Sequence, residues 1–147
     1  MTSLELCYIS AGFFFLIGLL SGVWKYVSIL QSEKSEAKEY VSILHRASLL
    51  YSFAILLLAQ FVKLNPYSEE VRFWCALAVI SFFVFAITTY FLHAVLGDTD
   101  NQFRKPYILG PIKLPKVVIH GSMLLLILAE ACGFGVLFFG YLMTVVK

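Results

Sequence analysis

Three histidines, His45, His93 and His120, are the residues of this chain best suited to chemistry. Imidazole exchanges protons near neutral pH and ligates haem iron, zinc and copper. No HxxxH or HExxH spacing occurs, so no single helix offers a zinc pair. Tyr90 stands one helical turn before His93 on the same face, and Thr89 is four residues from it. Asp98 and Asp100 follow in the segment GDTDNQF and read most simply as a solvated loop start and turn former. Glu130 interrupts an otherwise uncharged run, where an ionised carboxylate is expensive; such a residue is a functional candidate by default. The plainer alternatives stand beside these: hydrogen-bonded packing histidines, and a protonated Glu130 bonded to a neighbouring helix. Cys7, Cys75 and Cys132 form no CxxC pair and read as small apolar packing residues.

The elements that must position these groups are set by hydrophobicity. Of 147 residues, 61% are hydrophobic and 14% charged, whereas soluble domains carry about 25% charged residues. Uncharged runs cover Leu6–Trp24, Ala47–Val62, Phe73–Gly97 and, apart from Glu130, Val117–Val146. A helix rises about 1.5 Å per residue and the hydrocarbon core is about 30 Å thick, so about twenty residues cross it. The second run is short unless His45, Arg46 and Lys63 snorkel at its ends. Strict alternation is missing, which argues against a β-barrel. The expectation is one all-α integral membrane domain over 1–147. It is an antiparallel, up-down bundle of four transmembrane helices, with spans near 6–28, 44–63, 73–97 and 117–146. The N-terminal run lacks a basic leader and a clean cleavage site, so it reads as a retained first span. Pro106, Pro111 and Pro115 forbid a regular helix in the third loop.

Loop charge sets direction. The first and third loops with their flanks hold eight Lys and Arg residues, against Lys63, Arg72 and Lys147 on the other side. The positive-inside rule then puts those loops in the cytoplasm, both termini outside, and the chain in a cell inner membrane. A net charge of +2 is too weak to imply nucleic acid. In this topology His45 opens the second helix, His93 closes the third and His120 opens the fourth, so all three fall at one end at similar depth. Trp24, Tyr26, Trp74 and Tyr141 read as interfacial belt residues. Gly18-x-x-x-Gly22 and Ala129-x-x-x-Gly133 permit close helix contact, within one bundle or between subunits.

The first span, AGFFFLIGLLSG, resembles the start of the small four-helix membrane isomerases, hydroxylaminobenzene mutase and styrene oxide isomerase. His45-Arg46-Ala47 at the start of the second span resembles their single histidine, and Thr88-Thr89-Tyr90 resembles their tyrosine-containing segment. The resemblance implies a haem b near a subunit interface of a homo-oligomer, a trimer, with His45 as axial metal ligand. It implies Lewis-acid binding of a strained or N–O substrate oxygen, with Tyr90 orienting a small lipophilic substrate. Tyr51 stands where the family has a substrate-holding asparagine, and Ala11 where it has a first-span histidine. His93, His120 and GDTDNQF are not family features. The membrane eicosanoid and glutathione proteins share the size, but their Arg, Asn and Glu signature on the second helix is missing here.

Three readings follow. The first is a haem-binding, isomerase-like enzyme, with His45, His93 and His120 as cofactor-binding candidates and Tyr90, Tyr51 and Glu130 as catalytic ones. The second is a membrane scaffold or assembly factor without chemistry. The third is a haem-free membrane enzyme that uses the histidine and acid cluster directly on a lipophilic substrate.

Overall fold

A computed structural model of the chain describes residues 1–146. Lys147, counted above with the basic residues of the terminal end, lies outside the described residues. Four helices, α1 (Ser3–Leu30), α2 (Glu39–Lys63), α3 (Glu69–Leu96) and α4 (Lys116–Val145), make up about three quarters of it. Each is long and apolar enough to cross a membrane, and the protein is an all-α bundle of four antiparallel transmembrane helices. Between α3 and α4 the proline-bearing loop forms one small hairpin of β1 (Ile108–Leu109) and β2 (Ile112–Lys113), with Ile108 opposite Lys113.

Local chemistry fixes the helix ends. Thr2 caps α1, its hydroxyl accepting from the Glu5 N–H while the Glu5 carboxylate accepts from the Thr2 N–H. α2 starts earlier than the charge pattern suggests. Its first turns carry Glu39 and Arg46, 3.7 Å apart, and these charges lie outside the apolar stretch. The 25-residue helix is thus about 37 Å long, enough for the bilayer although its uncharged run is not. α3 ends at Gly97, whose φ of 60° is the left-handed conformation that glycine adopts without strain.

The packing is uneven. α1 lies along α2, while α3 is central and touches α1, α2 and α4. α4 packs on α3, touches α2 slightly, and among the described residues makes no contact with α1. The close approach of α1 to α2 rests on Gly18 and Gly22. A β-carbon on Gly22 would lie 2.9 Å from the His45 ring, and one on Gly18 would lie 2.6 Å from Leu49. Gly133 meets α3 in the same way, at Cys75 and Val79. These small residues therefore serve contacts within the chain, the plainer of the two readings above.

The buried core is aliphatic and aromatic, with Leu44, Ile55, Leu58, Val79, Ile80 and Leu137 at its centre. Around it Phe13, Leu20, Leu50, Phe53 and Phe139 are exposed, a perimeter suited to lipid rather than water. Trp74 and Tyr26 are exposed, as belt residues should be. Trp24 differs: it packs against the core and sits edge-on to Phe91, ring centres 6.2 Å apart. At the terminal end, Glu69 accepts from the Ser3 N–H and pairs with Arg72 at 2.9 Å. Arg72 in turn donates to the Val62 carbonyl, so three helix ends are tied together.

Candidate functional site

The loop end of the bundle holds the polar chemistry. His93 lies in the last turn of α3 and is buried. Gly97 turns the chain back, and Asp98 follows at once. Its carboxylate accepts from His93 Nδ1 at 2.7 Å and from the Gly110 N–H at 2.6 Å. One carboxylate thus joins the end of a transmembrane helix to the hairpin that covers it. Asp98 is 7% exposed at its side chain, so the solvated loop start expected from sequence is in fact a buried partner. Burial pushes its carboxyl up, but the Gly110 N–H and the His93 ring outweigh that and hold it below the ordinary carboxylate value.

Tyr40, in the first turn of α2, completes the arrangement. Its ring lies over His93, centres 4.8 Å apart and tilted by 35°. Its hydroxyl accepts from the Gln102 N–H at 2.6 Å, a second tie between helix and loop. Tyr90 packs beside it, with ring centres 6.2 Å apart. Because an ionised carboxylate only accepts, Nδ1 of His93 carries the hydrogen and Nε2 is left for other work. Among the described residues Nε2 has no hydrogen-bond partner.

His93 also lines two cavities. One, of about 290 Å³, runs between α3 and α4 and is almost wholly apolar, with Phe85, Tyr90, Leu114, Ser122 and Leu126 in its wall. The other, of about 650 Å³, opens at the loop end and is lined by Lys38, Glu39, Tyr40, Asn101 and Arg104. The imidazole therefore stands where a membrane-side pocket meets a polar one.

The three histidines share an end but not a site. His45 lies about 9 Å into α2. Its Nδ1 donates to the Gly18 carbonyl at 2.8 Å and its ring rests on Gly22. His120 is exposed and pairs through Nε2 with the Tyr107 hydroxyl at 3.1 Å. Among the described residues no three of His, Cys, Asp and Glu are grouped to hold a metal ion. Of the catalytic candidates only Tyr90 lines the His93 cavity. Tyr51 is a core aromatic, stacked on Phe83 at 4.1 Å and edge-on to Phe14. Glu130 has one buried carboxylate oxygen with no partner among the described residues, and it does not line that cavity.

Tyr40 and Gly110 escaped the sequence reading. The first looked like the end of a polar loop, and the second supplies only a backbone N–H. Asp98 reads from sequence as a loop start rather than a partner, although its place just beyond Gly97 at the end of the His93 helix is a usable signal.

No family model matches the chain, and no curated protein and no solved structure matches it. What fold and site define is an integral membrane bundle with a buried histidine–aspartate pair at one end.

Replacing Asp98 by alanine removes both bonds and should cost about 1.5–3 kcal/mol, seen as lost protection of the Gly110 amide against hydrogen exchange. A carboxyl held below its ordinary value stabilises the loop fully above about pH 4 and less as pH falls through its lowered value. The Gly110 amide resonance should therefore move only below about pH 4 in the native protein, and not at all in D98A; movement nearer neutrality would contradict the assignment.

Proposed function

We propose that the protein is a haem-free membrane enzyme that moves a proton on a small lipophilic substrate, with His93 as the acid–base group. The observation that carries this reading is the position of His93, oriented by Asp98, between an apolar and a polar cavity. A base fixed in one tautomer by a buried carboxylate needs no reorganisation to accept a proton at Nε2. Side-chain nucleophiles are otherwise engaged. The hydroxyls of Thr88, Thr89 and Ser122, which line the apolar cavity, donate to carbonyls of their own helices. That favours proton transfer over acyl or phosphoryl transfer.

In the proposed cycle Nε2 takes a proton from an acidified carbon of the substrate and the imidazolium returns it to another carbon. No proton or electron is gained or lost, so the reaction is an isomerisation. Asp98 stabilises the transient imidazolium, Tyr40 holds the ring in plane, and the Tyr90 hydroxyl donates to the oxygen on which charge develops. The excess of Lys and Arg in the first and third loops supports a reading in which this end faces the cytoplasm. A cysteine replacing Ser35 should then be labelled by an impermeant thiol reagent only in inverted vesicles, and labelling in right-side-out cells would reverse the orientation.

The substrate need not be known to test the chemistry. The protein is incubated with a total lipid extract in D₂O, and carbon-bound deuterium is sought by mass spectrometry. The expected result is label in one lipid species with the native protein and none with His93→Gln. Equal labelling by both, or none by either, would overturn the reading.

One observation favours a second reading, in which His45 would hold a haem b between subunits. The Nδ1 bond to the Gly18 carbonyl leaves Nε2 of His45 with a free lone pair that could bind iron. Such a haem would supply a Lewis-acid iron. A Soret band lost in His45→Ala supports it; colourless protein from haem-replete cells contradicts it.

A further inference from the structure

Resting on the reading of His93 as the reactive group, we infer that its substrate is a single-chain amphiphile with an uncharged polar head. The chain would lie in the apolar cavity between α3 and α4, and the head in the polar cavity beside Lys38 and Arg104.

Shape and depth carry the first half. The apolar cavity follows α3 from Phe85 to His93 and α4 from Val118 to Leu126. Eight residues of helix make each wall about 12 Å long. That is a little less than the hydrocarbon thickness of one leaflet, about 15 Å. At about 290 Å³ it lies at the lower edge of ligand pockets, which run from about 300 to 1,000 Å³. A single aliphatic or isoprenoid chain fits that space, and the paired chains of a diacyl lipid do not. His93 closes the cavity at its polar end, so a substrate filling it presents its head-proximal carbons to Nε2.

Charge carries the second half. The polar cavity holds the carboxylates of Glu36, Glu39 and Asp100 against the cations of Lys38 and Arg104. Arg104 is paired with Asp100 at 3.3 Å. Glu39 is paired in turn with Arg46 at 3.7 Å, so Glu36 stands against Lys38 and no uncompensated cation is left to hold a free carboxylate or phosphate head. Thr99, Asn101 and the Tyr40 hydroxyl offer hydrogen bonds to an alcohol or carbonyl.

The test is photocrosslinking of the full-length protein in phosphatidylcholine vesicles. Three diazirine probes are compared: a long-chain alcohol, the matching carboxylate, and a diacyl phosphatidylcholine labelled at the same depth. The alcohol should attach to peptides containing Phe85 and Leu126, the carboxylate several-fold less, and the diacyl probe only to the outer lipid-facing surface. Met123→Trp, which fills the cavity, should abolish the alcohol signal. Ser122→Trp serves the same purpose if the first variant does not fold, with helical content by circular dichroism as the check. Uniform labelling, labelling of the cavity by the diacyl probe, a carboxylate signal equal to that of the alcohol, or retention in the filled variants would overturn the inference. His93→Gln separates the two claims. It should still capture the alcohol, since it removes the base and not the cavity. Capture by the native protein without any deuterium exchange would leave the amphiphile site standing and remove the proposed reaction.

Discussion

The Asp98 carboxylate is the group on which the working end of the molecule depends. It binds a side chain from α3 and a backbone N–H from the hairpin, and so turns a loop into a cover. Buried carboxylates are costly unless their lone pairs are used, and here each oxygen has a donor. The same bond chooses the tautomer of His93. Stability of the loop and readiness of the base are therefore one interaction. Removing the carboxylate would loosen both.

A membrane sets different terms elsewhere. Backbone groups must be satisfied within each helix, and helix association gains little from hydrophobicity in lipid. Close packing has to be achieved by shape. Gly22 accepts the flat His45 ring, and the Gly18 carbonyl accepts its N–H. On the other side α4 is joined at the terminal end by Asn65, whose amide donates to the Leu137 carbonyl at 2.6 Å and rests above Gly140. With α4 fixed there and by Gly133 against α3, the space between α3 and α4 at the loop end stays open. This is where the apolar cavity lies.

Depth along a helix was legible in the sequence, and direction around it was not. Four uncharged runs are enough to place four spans, because crossing about 30 Å of hydrocarbon leaves few alternatives. They also place His45, His93 and His120 at one end. Whether three such rings meet depends on which way each helix is turned, and that is settled by partners far away in sequence. His45 is turned toward α1 by the glycines, His93 toward the loop by Asp98, and His120 toward Tyr107. Tyr51 and Tyr90 show the same divide: both are tyrosines on core-facing helices, yet one is stacked on Phe83 and the other opens on a cavity. The role of Gly110 is carried by its main chain and leaves no mark in residue type. α2 begins at Glu39, ahead of the span near 44–63, because Glu39 and Tyr40 add a helical turn before the apolar stretch.

Nitrogen-15 spectra of the His93 imidazole, recorded on the full-length protein in lipid bilayers, test the central claim most directly. With Asp98 holding Nδ1, the neutral ring should carry its hydrogen on Nδ1 and show a bare Nε2, and Asp98→Ala should release it to a mixture of tautomers. A native ring protonated at Nε2 alone, or a D98A spectrum identical to the native one, would contradict the account.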